Sequence, residues 1–227
     1  MNTNKIQLKN ISLVSLNCVN PIQSIKALLY SSKHIDFGEI ILISNSKPDV
    51  LPSSINFIKT NVNSHDDASA FTYTELPKII NTEYMLGIHD DGFVINSHLW
   101  NDEFLNYDYI GAPWKNYGQL NRVGNGGFVL KSKKFIELTK YLKPLGGHED
   151  GELTNQYYKY FTSNGCRYAP VELAMTFSLE SKIPECSYDL NNCFGFHGRG
   201  NPKDITVHDG FYEQFQEKNK LLDTVEI

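Results

Sequence analysis

The chain has 227 residues, enough for one large domain, and its 41% hydrophobic and 21% charged content is that of an ordinary soluble protein. A net charge of -5 leaves no basic footprint for nucleic acid or an anionic membrane. Cys18, Cys166, Cys186 and Cys193 form no C-x-x-C pair and read as free thiols in a reducing compartment. The polar M-N-T-N-K start has no apolar segment behind it, and no run reaches bilayer length. These features place the chain in the cytoplasm, free or peripheral at the inner membrane face, or make it a piece of a larger protein.

In chain order, Ile11–Leu16 (I-S-L-V-S-L) is an apolar run of strand length that leads into Asn17. Asn20 followed by Pro21 is a helix start, and the helix runs to about Ser32 with Ile22, Ile25, Leu28 and Leu29 on its buried face. Glu39–Ser44 is a second strand, 45–54 a loop, and Ile55–Lys59 a third strand. His65-Asp66-Asp67 offers a cap for a helix from about Ala68 to Ile80, and Tyr84–His89 is the fourth strand. This alternation predicts an α/β fold with a mostly parallel sheet covered on both faces. Ligands bind beyond the carboxyl ends of such strands, where Asn17 and the His89–Asp91 trio fall.

Tyr84–Asn96 (Y-M-L-G-I-H-D-D-G-F-V-I-N) is the centre of the reading. A buried strand ending in adjacent carboxylates either caps a turn with them or balances them with a cation. Gly92 permits a sharp turn or a close ligand. Ser97 caps a short helix from Leu99 to about Leu105, and Asn106–Trp114 is extended. Arg122–Leu130 (R-V-G-N-G-G-F-V-L) is a glycine-rich turn into a strand, without phosphate-loop or dinucleotide spacing, and suits a wall on which a ligand lies flat. Ser132 caps a helix from Lys133 to Leu142. His148-Glu149-Asp150 forms a second acidic knot ahead of a helix to about Ser163; acids there either serve chemistry or simply suit the helix dipole. Arg167–Ala169 is a short strand, Val171–Phe177 a helical turn, and 210–223 a tail helix. Cys193–Gly200 (C-F-G-F-H-G-R-G) presents His197 flanked by Phe and Gly, as a ligand candidate or a hydrogen-bonded core residue.

The ordered segments D-G-F-V-I-N (91–96), Y-D-Y-I-G-A-P-W (107–114), G-N-G-G-F (124–128) and F-G-F-H-G (194–198) resemble those of a poorly characterised bacterial and viral glycosyltransferase-like family of the GT-A fold. The resemblance runs from about Ile11 to Gly198. It implies one GT-A-like, Rossmann-like domain over 1–227, with a nucleotide-binding half at about 11–96 and an acceptor and catalytic half at about 97–200. It also implies Mn2+ or Mg2+ on Asp91 with Asp90 or His89 assisting, completed by His197. The common D-x-D is H-D-D here. The donor would meet Asn17, His89, Asp90, Asp91, Asn125, Gly126 and Gly127. Asp150 or Glu149 would serve as base or orient the acceptor, and Trp114, Tyr109 and His148 would face it. Trp114, Tyr107 and Tyr109 read equally well as core aromatics in a hinge.

The chemistry is consistent with that resemblance. A leaving diphosphate needs its charge neutralised, and the acceptor hydroxyl needs a base. Carboxylate oxygens suit Mg2+ or Mn2+, and an added imidazole favours Mn2+. The expected reaction moves a sugar from a nucleotide-sugar, a UDP-sugar by resemblance, to a glycan, a lipid-linked glycan or another hydroxyl. Two other classes stay open: a metal-dependent phosphohydrolase and a non-catalytic sugar-nucleotide-binding module.

Overall fold

A computed structural model of the chain describes residues 5–186, 189–199 and 211–227. A six-stranded sheet in the order β3-β2-β1-β4-β6-β5 forms its centre. Its strands are Ile6–Leu16 (β1), Ile35–Ser44 (β2), Asn56–Lys59 (β3), Tyr84–Ile88 (β4), Tyr109–Ile110 (β5) and Phe128–Ser132 (β6). The first four run parallel, β6 pairs antiparallel with β4, and β5 antiparallel with β6. The fold is thus α/β with a mostly parallel sheet, as expected.

β1 and β2 begin earlier than the apolar runs indicate, because a bulge breaks their pairing between Leu8 and Ser12. The bulge needs Gly38, where a Cβ would lie 2.3 Å from the Lys9 carbonyl oxygen. Helix α1 (Pro21–Ser31) is capped by Asn20, whose side chain accepts from the Gln23 N–H. It buries Ser24, Ile25, Ala27, Leu28 and Ser31; Ile22, expected inside, is 42% exposed because it falls off that stripe. Helix α2 (His65–Thr74) is capped by Ser64 rather than by the acidic triplet, which forms its first turn. The expected single helix to Ile80 divides into α2 and α3 (Leu76–Ile79). Pro77 has no N–H for the Tyr73 carbonyl, which instead accepts from the Thr139 hydroxyl at 3.1 Å.

The expected helix after Ser97 is two 3-10 turns, Ser97–Leu99 and Asp102–Asn106, and Asn101 caps the second. Ser132 does cap α4 (Lys133–Thr139), accepting from the Phe135 N–H. The helix after the second acidic knot is irregular: α5 (Glu149–Gly151), a π-helical turn (Glu152–Gln156) and α6 (Tyr158–Ser163). Arg167–Ala169 is no strand; Tyr168 makes one bridge to Tyr109. Helix α7 (Val171–Phe177) leads into β7 (Ser178–Leu179), which pairs with β8 (Gly195–Phe196). The expected tail helix is α8 (Phe211–Asn219) followed by a 3-10 turn (Lys220–Thr224); Gly200 and Gly210, also part of those expectations, lie outside the described residues.

Alternate strand residues feed two cores, which is why helices cover both faces. Leu13, Leu86, Ile88 and Leu130 pack against α1 and the rings of Phe104, Phe128, Phe177 and Phe194. On the other face Val14, Ile41, Ile43 and Met85 pack against Leu76, Ile80 and Ile136. No described helix is long and apolar enough to cross a membrane.

Candidate active site

β1 lies between β2 and β4, so the sheet's crevice opens where those neighbours diverge, at the carboxyl ends of β1 and β4. β4 ends in His89, whose N–H donates to the Gly127 carbonyl at 2.9 Å. The Gly92 N–H turns back to the His89 carbonyl at 3.3 Å, leaving Asp90 and Asp91 at the tip of a tight turn. Close approach explains Gly92: a Cβ there would lie 2.6 Å from the Gly127 carbonyl oxygen.

His197 arrives at this turn from a remote part of the chain. Phe194 and Phe196 are fully buried, the Ile95 and Asn96 N–H groups donate to the Phe194 carbonyl, and the Gly198 N–H donates to the Asp91 carbonyl at 2.8 Å. The imidazole is thereby set with Nε2 3.5 Å from Asp91 Oδ1 and Nδ1 2.9 Å from Glu180 Oε1. One atom each from His89, Asp91 and His197 lies within 4.8 Å of the others. Two imidazole nitrogens and one carboxylate oxygen form a donor set whose chemistry fits Mn2+ or a similar divalent ion.

The electrostatics show a strongly coupled group. Burial works to lower the His197 pKa, but hydrogen bonds and charge from Asp91 and Glu180 hold it up at about 10. Burial works to raise Asp91, and His197 with Arg199 brings it down to about 2. His89 stands open on the cleft, yet its desolvating walls and the neighbouring His197 push it down to about 4 against the pull of Asp91, Asp90 and Asp150. An imidazolium binds no cation, so metal uptake at His197 requires release of its proton.

Asp90, expected beside Asp91 on the metal, is turned to Arg199, whose Nη2 donates to its Oδ2 at 2.6 Å; the Arg199 Nε lies 3.4 Å from Asp91 Oδ2. Sequence reasoning missed Arg199 and Glu180. Burial raises Glu180, but hydrogen bonds from His197, Trp114 and Asn125 outweigh it and hold the carboxyl below its ordinary range. Nothing in S-L-E-S marks Glu180; only the pairing of β7 with β8 brings it under His197.

The glycine-rich turn forms the adjacent wall. Asn125 adopts the left-handed conformation at φ 67°, and its buried side chain accepts from the Gly127 and Phe128 N–H groups at 2.7 and 3.1 Å. Gly127 lies directly under His197, so an added Cβ would fall 2.1 Å from the ring. Gly127→Ala is therefore expected to push the imidazole off Asp91. The His197 ring resonances in an NMR titration would report this as loss of its raised pKa.

The second acidic knot closes the other side. Asp150 Oδ2 accepts from the Gly126 N–H at 3.0 Å and Oδ1 from the Gly151 N–H at 2.7 Å. Glu149 Oε1 pairs with the buried Lys131 ammonium at 2.5 Å. His148 Nδ1 lies 3.2 Å from His65 Nε2. His65, His89, Gly126, Gly127, Lys131, His148, Glu149, Asp150, Glu180 and His197 all line one cleft of about 490 Å³.

Four expected contacts fall elsewhere, the first being Asn125, which is fully buried with its side-chain oxygen spent on the Gly127 and Phe128 N–H groups and does not line the cleft. Asn17 is spent on its own turn, accepting from the Val19 and Asn20 N–H groups, and does not line the cleft. Tyr109 is fully buried with its hydroxyl on the Asn125 carbonyl, so its ring meets no acceptor directly. Trp114 donates to Glu180 Oε2 at 2.8 Å and covers Gly124, where a Cβ would lie 2.1 Å from the indole; it supports the His197 partner.

Comparison with solved structures places this geometry in a known fold. The apo form of the glycosyltransferase GlyE of Streptococcus pneumoniae TIGR4 superposes with a TM-score of 0.52 at 12% identity, over 92% of this chain and 59% of GlyE. The chain thus spans about three fifths of GlyE's length. The galactosyltransferase LgtC, solved in complex with donor and acceptor sugar analogs, gives 0.50 at 15% identity over 95% of this chain and 97% of LgtC. No curated protein sequence matches the chain. A family model described as "Protein of unknown function (DUF5672)" matches residues 53–197, which hold strands β3 to β6 and the cleft residues from His65 to His197 but not β1 and β2, and the chain belongs to that family.

Proposed function

We propose that the protein is a metal-dependent glycosyltransferase that moves a sugar from a nucleotide-sugar, with a UDP-sugar as the working donor, to a hydroxyl of a glycan or lipid-linked glycan. The observation that carries this reading is the His89–Asp91–His197 trio, whose two imidazoles line one cleft with Gly126, Gly127 and Asp150. The likeness to GlyE and LgtC supports the fold in which such a cleft sits.

His89, Asp91 and His197 would hold the divalent ion, Mn2+ in preference to Mg2+ because two ligands are imidazoles. When bound, it supplies positive charge for a departing diphosphate. Gly126 lets a sugar ring approach the backbone, while the missing side chain of Gly127 makes room for the His197 ring. Asp150, aligned by two N–H groups, accepts the proton of the acceptor hydroxyl as its oxygen bonds to the anomeric carbon and the bond to the diphosphate breaks. Glu149 is the alternative base; its pairing with Lys131 makes its lone pairs less available.

Thermal denaturation with nucleotides and nucleotide-sugars, with and without Mn2+, tests the reading. A ligand at a hundred times its Kd stabilises the folded state by about 2.7 kcal/mol. Stabilisation by UDP or a UDP-sugar only when Mn2+ is present is expected. Equal stabilisation by simple phosphate esters, with release of inorganic phosphate, would instead favour a phosphohydrolase. Donor binding without any transfer or hydrolysis would leave a binding module.

A further inference from the structure

Two histidines that line the cleft have no part in the proposed reaction. His65 comes from the first turn of α2, and His148 from the loop just ahead of α5. His65 Nε2 lies 3.2 Å from His148 Nδ1, with the ring centroids 4.8 Å apart and the ring planes crossed at 84°. In the neutral pair one imidazole donates to the other. Rings pointing straight at each other across a bond of that length would have centroids about 5.5 Å apart, so these two meet at an angle. Two imidazoles bound to one ion also meet at an angle. With metal–nitrogen bonds of about 2.1 Å and a tetrahedral or octahedral angle, the nitrogens lie about 3.0–3.4 Å apart and the centroids about 4.6–5.3 Å apart. Both observed separations fall within those ranges.

The backbone under each imidazole is anchored. His65 opens α2, where the Ser64 hydroxyl accepts from the Asp67 N–H at 3.1 Å. The His148 carbonyl accepts from the Glu152 N–H at 3.0 Å. Glu152 is 1% exposed, and its Oε1 accepts from the Leu145 and Gly147 N–H groups at 2.9 and 2.8 Å. Its Oε2 accepts from the Tyr73 hydroxyl of α2 at 2.9 Å. One buried carboxylate therefore ties the loop that carries His148 to the helix that carries His65. The two side chains are exposed, but the distance between their attachment points is set from beneath, which lowers the cost of binding one ion between them.

We propose that His65 and His148 form a second metal site, selective for Zn2+ over Mn2+. The His89–Asp91–His197 trio contains a carboxylate and suits Mn2+. The pair offers imidazole alone, and nitrogen ligands hold Zn2+ far better than Mn2+. Among the described residues no third His, Cys, Asp or Glu lies close enough to join the pair. Water or an anionic oxygen from a cleft ligand completes the coordination, as in open zinc sites. Zn2+ held there fastens the loop to α2 immediately ahead of Glu149 and Asp150. The site stands whether or not the protein is a transferase.

The test is calorimetric titration of Zn2+ and, separately, of Mn2+ into the whole protein and into His65→Ala and His148→Ala. The wild-type protein is expected to bind two Zn2+, and each variant one. Mn2+ should bind all three proteins alike. Each variant should lose about a hundredfold in affinity at the pair, the advantage of two linked ligands over one. Asp91→Asn, which disables the trio, should keep the pair's Zn2+. If the trio binds no metal, the wild-type protein takes one Zn2+ and His65→Ala none, which supports the pair and sinks the metal-dependent reading alone. Zn2+ binding that both alanine variants leave unchanged overturns the proposal. Loss of Mn2+ binding in those variants also overturns it, because the pair would then serve the trio's ion. NMR of the wild-type protein needs no variant: Zn2+ should shift the His65 and His148 ring resonances and slow amide exchange over residues 145–148. Ring resonances that do not respond to Zn2+ overturn the proposal as well.

Discussion

Asp91→Asn is expected to weaken Mn2+-dependent nucleotide binding by about a hundredfold or more, beyond what outer-shell changes at metal sites usually cost. The carboxylate is the only anionic member of the His89–Asp91–His197 trio, and the amide that replaces it is a neutral, weaker ligand. The substitution conserves volume, and the Asp91 backbone carbonyl still accepts from Gly198, so the turn should persist. Calorimetry of UDP with Mn2+, alongside a thermal melt of the apo protein, separates lost ligation from lost folding. Wild-type affinity in the variant would remove Asp91 from the metal site. Asp90→Asn provides the contrast: with Asp90 engaged by Arg199, its loss should cost less.

The second large effect is expected at Asp150. Asp150→Asn keeps an oxygen for the Gly126 N–H but cannot take a proton, so kcat should fall by about 10²–10⁴ while donor affinity changes little. Glu149→Gln should have the smaller effect, since its carboxylate is already neutralised by Lys131. Steady-state kinetics with titrated donor affinity checks both. If Glu149→Gln loses turnover and Asp150→Asn does not, the roles are reversed; if neither loses it, the base lies elsewhere.

Much of the frame was legible because local chemistry determines it. Asn20 and Ser132 announce their helices by capping chemistry, and the apolar runs of β1 and β4 find their parallel pairing. The acidic strand end and the central histidine of F-G-F-H-G were visible as residue types, and the structure brings Asp91 and His197 together. What the sequence could not reveal is tertiary. Two adjacent aspartates look alike on paper, but Arg199 draws Asp90 away and His197 faces Asp91. Glu180 carries no local signal, since its position follows from a two-residue strand pairing across the 178–196 interval. The acidic triplet His65-Asp66-Asp67 looked like a cap because its acids suit a helix start, but Ser64 had the geometry to accept the Asp67 N–H. Tyr109 and Trp114, visible as aromatics near the site, were recruited to hold backbone and Glu180 instead.

The bridge between Val94 and Gly195 joins points about a hundred residues apart, and the Gly198 bond to Asp91 spans a similar distance. During synthesis the β4 strand and its two aspartates leave the ribosome well before residues 193–198 exist. At about 5–20 residues per second, several seconds pass in which the turn lacks His197, and the faces later covered by Phe194 and Phe196 are bare. A nascent chain paused anywhere between those points would hold most of the sheet yet have no complete metal trio. Arrest sequences fused before residue 198, or after the whole chain through a linker long enough to free His197 from the ribosome, should therefore divide nascent chains into two groups, those that lack the proposed Mn2+ site and those that have it.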